Sequence, residues 1–194
     1  MKNFIIILLL LFSIKLSACD CKWNGNFLHA VNNLELVIKG RVIEHVYHIE
    51  NGKKFTNYNE FLTETLNNEF DSHYRTGESI KVEVLEIIKG KEERKIIEIF
   101  DTDGADCRAS IHEFISGNIY IFAPYKSRRT RAKLPNETEN DYAIGGCYES
   151  TLQYFPKENI VFGMIKGKSY RRKSRKYCYE KLKRKITSTV QQHI

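Results

Sequence analysis

The residues richest in chemistry are five cysteines: Cys19, Cys21, Cys107, Cys147 and Cys178. A cysteine can cross-link, bind a metal or act as a nucleophile, and the compartment decides which comes first. The start of the chain bears on that. Met1-Lys2-Asn3 is a short positive segment, Phe4 to Ile14 is almost unbroken Ile, Leu and Phe, and Ser17-Ala18 places small residues before Cys19. Such a run is short for a bilayer span but suits the core of an export signal, although Lys15 is unusual there. Residues 1–18 are therefore read as a signal peptide, and the working chain as starting at Cys19. Outside the cytoplasm cysteines read as disulfide partners first. Five is odd, so one sulfur needs another fate.

Other candidate chemistry is sparse. Asp101-Thr102-Asp103-Gly104-Ala105-Asp106 has the look of a calcium loop, but an EF-hand needs Gly sixth and Glu twelfth, where Asp106 and His112 stand. A polar turn is the expectation. His45 and His48 are three apart, which does not suit one face of a strand, and they are read as surface residues. No Ser, His and Asp motif, Gly-rich phosphate loop or paired-carboxylate signature occurs. An enzyme is not expected, nor are catalytic residues, a metal site or a small-molecule cofactor. Asn136-Glu137-Thr138 is a glycosylation sequon on a polar loop.

The elements that must position these cysteines read mainly as strands. Leu34, Leu36, Ile38, Gly40 and Val42 fall on one face of an extended segment, with Glu35, Lys39 and Arg41 opposite. Gly40 sits on the apolar face, where a coiling strand needs a missing side chain. Ile80, Val82 and Val84 alternate with Lys81 and Glu83, and the phase slips at Val84-Leu85, which predicts a bulge. Lys89-Gly90-Lys91 reads as a turn, followed by strands over 95–100, 118–124 and 142–147. The polar stretch 48–78 interrupts this pattern with a short helix through Phe61, Leu62, Thr65, Leu66 and Phe70. Short strands with turns between them point to an antiparallel barrel, closed or partly closed.

Charge is unevenly spread. Residues 19–165 carry 18 bases and 23 acids, whereas residues from Lys166 onward carry eleven bases and one acid. The net charge of +7 therefore describes a basic tail on a mildly acidic body. In that tail Cys178, Leu182, Ile186 and Val190 are spaced by four, an apolar stripe for a basic helix.

These pieces resemble the netrin-like domains, which include the tissue inhibitors of metalloproteinases and looser bacterial relatives. Cys19-Asp20-Cys21 is similar to the family's Cys-x-Cys opening. Leu36 to Val42 resembles its first strand, and Val82 to Gly90 its second, ending in Lys-Gly. Cys107 follows the third strand, Gly117 to Phe122 resembles the fourth, and Gly146-Cys147 closes the set. The resemblance covers residues 19–155 and implies a five-stranded OB-type barrel with a helical insertion. Residues 156–194 then form a basic, helical C-terminal extension. It also implies disulfides Cys19–Cys107 and Cys21–Cys147, and an inhibitory edge of Cys19, Asp20 and Cys21. In the family's inhibitors the amine and carbonyl of the first Cys chelate the zinc of an extracellular metalloprotease. An α-amine with a pKa near 8 retains a usable neutral fraction for this. The inhibitors carry a small neutral residue where Asp20 stands, and a carboxylate beside an apolar pocket is costly unless it meets a cation.

Two further expectations concern membranes and polyanions. Leu16-Ser17-Ala18-Cys19 fits a lipobox, which would make the protein an envelope lipoprotein lipidated at Cys19, with a structural or adhesive role. Lipidation excludes both the Cys19–Cys107 bond and chelation by the amine. The tail, through Arg171, Arg172, Lys173, Arg175 and Lys176, suits a polyanion or an anionic membrane surface. The protein is thus expected to be secreted, or held outside a membrane by Cys19.

Overall fold

The alternation read around Gly40 becomes the central strand. In the computed structural model, which describes residues 21–67, 75–104, 106–130, 132–167 and 174–191, β1 (Val37–Ile49) runs thirteen residues. The signal segment, Cys19, Asp20, Phe70, Arg171, Arg172 and Lys173 lie outside the described residues. β1 pairs antiparallel with β3 (Thr76–Lys89) from Val37↔Lys89 to Ile49↔Thr76. Gly40 stands opposite Val84, and a Cβ on it would lie 2.4 Å from Val82 Cγ1. The missing side chain is thus what lets these strands approach. Between Lys39↔Glu86 and Gly40↔Val84 the register skips Leu85, at the expected bulge. Gly90 closes β3 at φ +85, with Glu35 O only 2.1 Å from where a Cβ would sit.

Around this pair lie β2 (Lys54–Phe55), β4 (Ile96–Phe100), β5 (Ile119–Phe122), β6 (Tyr125–Lys126), β7 (Tyr142–Ala143), β8 (Thr151–Phe155), β9 (Ile160–Gly163) and β10 (Arg175–Cys178). The strand order is β10-β9-β8-β5-β1-β3-β4-β7-β6, with β2 beside β1. All pairings are antiparallel except β4–β7. The protein is therefore mainly β; where a five-stranded OB-type barrel, closed or partly closed, was expected, the described residues form an open mixed sheet of ten strands, which does not support the closed form. The physical reason lies at β5. One of its edges pairs with β1, and β8 occupies the other through Ile119↔Tyr154 to Phe122↔Thr151. The sheet therefore runs on past β5 into β8, β9 and β10.

The stretch after residue 155 also differs from the helical extension expected. It first adds β9 and β10 to the sheet, and only then forms α3 (Tyr179–Gln191). The other helices are α1 (Phe27–Ala30), continued by a tight turn over Val31–Asn33, and α2 (Tyr58–Asn67), which lies in the polar insertion. Among the described residues no helix is long and apolar enough to cross a membrane.

Both faces of the sheet are apolar. One face packs Ile38, Val42, Val82, Ile97, Ile99 and Phe122 with Ile111 and Phe114. The opposite face packs Val37, Ile88, Ile121, Leu152 and Val161 against Phe27 and Val31 at the N-terminus and Tyr179, Leu182 and Ile186 of α3. Neighbours such as Val37 and Ile38 go to different cores, because strand side chains alternate. The tail helix is thus part of the fold, with two of its predicted stripe residues at 0–1% exposure.

Candidate functional site

The strip after Cys21 is held across one end of the sheet. Cys21 is disulfide-bonded to Cys147, with Cα atoms 5.8 Å apart and a sequence separation of 126. Backbone bonds continue the attachment: Asn24 N–H donates to Cys147 O at 2.7 Å, and Glu149 N–H to Gly25 O at 3.1 Å. Beyond these, Asn26, Phe27 and Leu28 N–H donate to Gly167, Met164 and Ile165 carbonyls at 2.9 Å each. The strip therefore lies between the β7–β8 connection and the residues after β9. Gly25 turns it at φ +105, where a Cβ would come 2.5 Å from the His29 ring.

The Cys107 segment meets the same place. The Sγ atoms of Cys21, Cys107 and Cys147 lie within 4.8 Å of one another, and all three cysteines are exposed or half-buried. Gly146 N–H donates to Cys107 O at 2.8 Å, and Ala109 N–H to Ile144 O at 2.8 Å. Gly145 and Gly146 allow this approach. A Cβ on Gly146 would sit 3.0 Å from Arg108 O, and one on Gly145 would strike the Tyr148 ring. Below the cysteines Arg108 is buried. It donates to Glu137 Oε2 at 3.0 Å, to Asp101 O at 3.1 Å and to Ala132 O at 2.9 Å, and it pairs with Asp106. A guanidinium fits such a node because its donors fan out in one plane. Asp103 and Asp106 instead serve their own turn, as the sequence reading of this loop expected, accepting from Asp106 N and Arg108 N.

Electrostatics near the strip favour neutral groups. Burial pushes the Tyr125 and Tyr148 hydroxyls up to about 12. Burial also raises the Glu149 carboxyl to about 7, with Glu113 adding to it and N–H groups of Met164 and Thr151 opposing it. Glu149 lines a cavity of about 260 Å³ together with Glu113, Tyr120 and Phe162. Glu149 left no mark in the sequence, because its surroundings come from separate segments of the chain.

Of the expected edge, Cys21 stands at the pinned end of the strip, while Cys19 and Asp20, and with them the Cys19–Cys107 pairing, lie outside the described residues. Of the polyanion set, Arg175 and Lys176 are exposed on the edge strand β10. Beside them a shallow groove of about 390 Å³ is lined by Tyr177, Lys181, Arg184, Lys185 and Ser188. Cys178 is an exposed free thiol.

His48, read from the sequence as a surface residue, is fully buried. Its Nε2 lies 2.7 Å from Ser79 Oγ, which donates to Glu98 Oε1 at 2.6 Å. Burial alone would raise Glu98, but hydrogen bonds from His48 and Ser79, with Lys54 nearby, bring it down to about 2. Ser79 is also fully buried, so this serine–histidine–carboxylate set ties β1, β3 and β4 together and presents no nucleophile to solvent. Three strands supply one residue each, which no linear motif could reveal. No family model matches the chain, and no curated protein matches it.

Proposed function

We propose that this chain is an exported binding module of the netrin-like type, whose ligand-contacting edge is its disulfide-pinned N-terminus. The observation that carries this reading is the Cys21–Cys147 bond, which holds the strip that follows it on an exposed end of the sheet. A residue two positions before Cys21 can be no more than about 7 Å of extended chain away from that anchor. Pre-organisation of this kind lowers the entropic cost of presenting a short N-terminal ligand. Strand order supports the same resemblance. β1 lies between β3 and β5, β4 and β7 are parallel, and only two residues separate β6 from β5. An OB-type curl of the sheet fits these connections.

The sharpest form of the proposal is inhibition of a zinc endopeptidase by the amine and carbonyl of Cys19, since zinc in such enzymes keeps a position for an incoming ligand. The test is inhibition by the mature chain before and after acetylation of its N-terminus. Inhibition that acetylation abolishes is the expected result. Failure of the unmodified chain against a broad panel of zinc endopeptidases removes this form.

A second reading makes the protein an envelope lipoprotein, favoured by Leu16 three places before Cys19. Membrane fractionation of wild type and Cys19→Ala separates the two, because only a lipoprotein leaves the membrane on that change. In either case the groove beside Tyr177, with Arg175 and Lys176, forms a basic face suited to a polyanion.

A further inference from the structure

We infer a divalent-metal site, of zinc-type preference, formed by Glu78, Asp101 and His112. Its donors come from three segments that meet at one end of the sheet. Glu78 lies on β3, Asp101 directly follows β4, and His112 sits on the turn after it. Asp101 N–H donates to Glu78 O at 2.9 Å, which fixes the two backbones side by side. Asp101 Oδ1 then accepts from Ile111 N–H at 3.0 Å, and this brings the His112 turn over the carboxylates. One donor atom from each of the three side chains lies within 4.8 Å of the others.

The His112 ring spans the two carboxylates. His112 Nε2 is 3.4 Å from Asp101 Oδ2, and Nδ1 is 3.4 Å from Glu78 Oε2. Both exceed the 2.7–3.2 Å of a good N–H···O bond. They use different ring nitrogens, of which an ion would take one, and one donor atom per residue is close enough to its neighbours to share that ion. One imidazole nitrogen would take the ion, and the ring is free to turn toward it, with its side chain 66% exposed.

A second, independent observation concerns Asp101. The residue is only 5% exposed and aims Oδ2 into the cluster. The hydrogen bond to its carboxylate from Ile111 goes to the other oxygen, and Arg108 bonds its backbone carbonyl instead. Among the described residues no Lys or Arg side chain pairs with the carboxylate of either Glu78 or Asp101, and the group that touches both is the His112 ring. Two carboxylates meeting without a fixed cation repel each other, and a divalent ion relieves that.

Two oxygens and one imidazole nitrogen suit zinc. Calcium would need six to eight oxygens, more than this cluster supplies. A bound ion would fasten the His112 turn to the sheet and hold both ends of the 101–111 segment, which carries Cys107. Metal occupancy would thereby steady one wall of the N-terminal edge. The inference stands whether or not that edge inhibits a protease.

The test is calorimetric titration of zinc chloride into the oxidised mature chain carrying Cys178→Ser and an acetylated N-terminus, so that neither the exposed thiol nor the Cys19 amine contributes. One equivalent should bind. Affinity should fall at least tenfold in His112→Ala, whose exposed position spares the fold, and in Glu78→Gln. Calcium chloride at the same concentrations should give no comparable heat. Absence of zinc binding at millimolar concentration would overturn the inference. Zinc binding unchanged in both variants would also overturn it, as would calcium binding lost on the same substitutions.

Discussion

The N-terminal strip and the C-terminal helix cover the same apolar face of the sheet, but different forces hold them there. The strip contributes Phe27 and Val31 to that core and is fastened by the Cys21–Cys147 bond and a run of backbone hydrogen bonds. α3 contributes Leu182 and Ile186, and its first turns are also anchored on the Glu86 carboxylate. Glu86 on β3 accepts from Lys39 Nζ at 2.6 Å, from Tyr179 Oη–H at 2.8 Å and from Lys183 Nζ. Lys39 Nζ also lies 4.7 Å from the centroid of the Tyr179 ring, so cation, aromatic ring and carboxylate form one cluster. A covalent tether is indifferent to pH and salt but fails on reduction. An electrostatic one resists reductant and fails in acid. The sheet is thus clamped at two places by attachments with opposite sensitivities.

The largest expected break in this comparison is removal of the covalent tether. Replacing Cys21 and Cys147 together by Ser should lower stability by about 4 kcal/mol, since the bond spans 126 residues and its loss restores much unfolded-state entropy. Equilibrium denaturation measures it, and a loss below about 1 kcal/mol would mean that the backbone hydrogen bonds alone suffice. On the other side, Leu182→Ala should cost about 3 kcal/mol, because Leu182 is 0% exposed and its truncation leaves a cavity. In that variant the Cys21–Cys147 bond should survive, as read by mass before and after thiol alkylation.

The electrostatic tether gives a smaller and sharper signal. Burial works to raise the Glu86 carboxyl, but hydrogen bonds from Lys183, Lys39 and Tyr179 outweigh it and bring the pKa down from 4.5 to about 2. A group whose pKa is lower folded than unfolded adds stability above its unfolded value and loses it as pH falls through the folded one. Glu86 therefore contributes fully above pH 4.5, and that contribution disappears toward pH 2. Glu86→Gln should cost about 1 kcal/mol near neutrality. The difference in melting temperature between it and wild type should narrow on acidification across that window. A constant difference would show that the charge of Glu86 is not what holds α3.

How much of this could be read from the sequence depends on how local the signal is. The Gly40 approach and the Leu85 bulge are visible because each disturbs an alternation within its own strand. Leu182 and Ile186 are visible as a helical stripe. β10 is not, since Arg-Lys-Tyr-Cys has no apolar alternation and becomes a strand only because β9 offers an edge, through Arg175↔Gly163 to Cys178↔Ile160. The larger sheet was hidden for a related reason: β8 pairs with the edge of β5, and pairing between distant segments leaves no local mark. Of the site, the Cys21–Cys147 bond was implied by the netrin-like resemblance. Glu149, the His48 cluster and the Glu78–Asp101–His112 group were not, because each is assembled from residues far apart in sequence.

The smallest expected effect on stability separates holding the sheet from binding at its edge. Arg175 and Lys176 lie on the outermost strand, exposed, and neither enters the Glu86 cluster. Changing both to Ser should alter stability by no more than about 0.5 kcal/mol, as expected for exposed positions. It should nonetheless lower the salt concentration at which the protein leaves a sulfated-polysaccharide column, because polyanion binding weakens with each cation removed. Glu86→Gln should do the reverse, lowering stability with little change in elution. If the double variant eluted like wild type, the positive charge of this edge would be a solvated surface that keeps β10 from pairing with other chains. If Glu86→Gln moved elution as far as the double variant, the basic face would depend on how α3 is docked, and the tether and the binding surface would be one device.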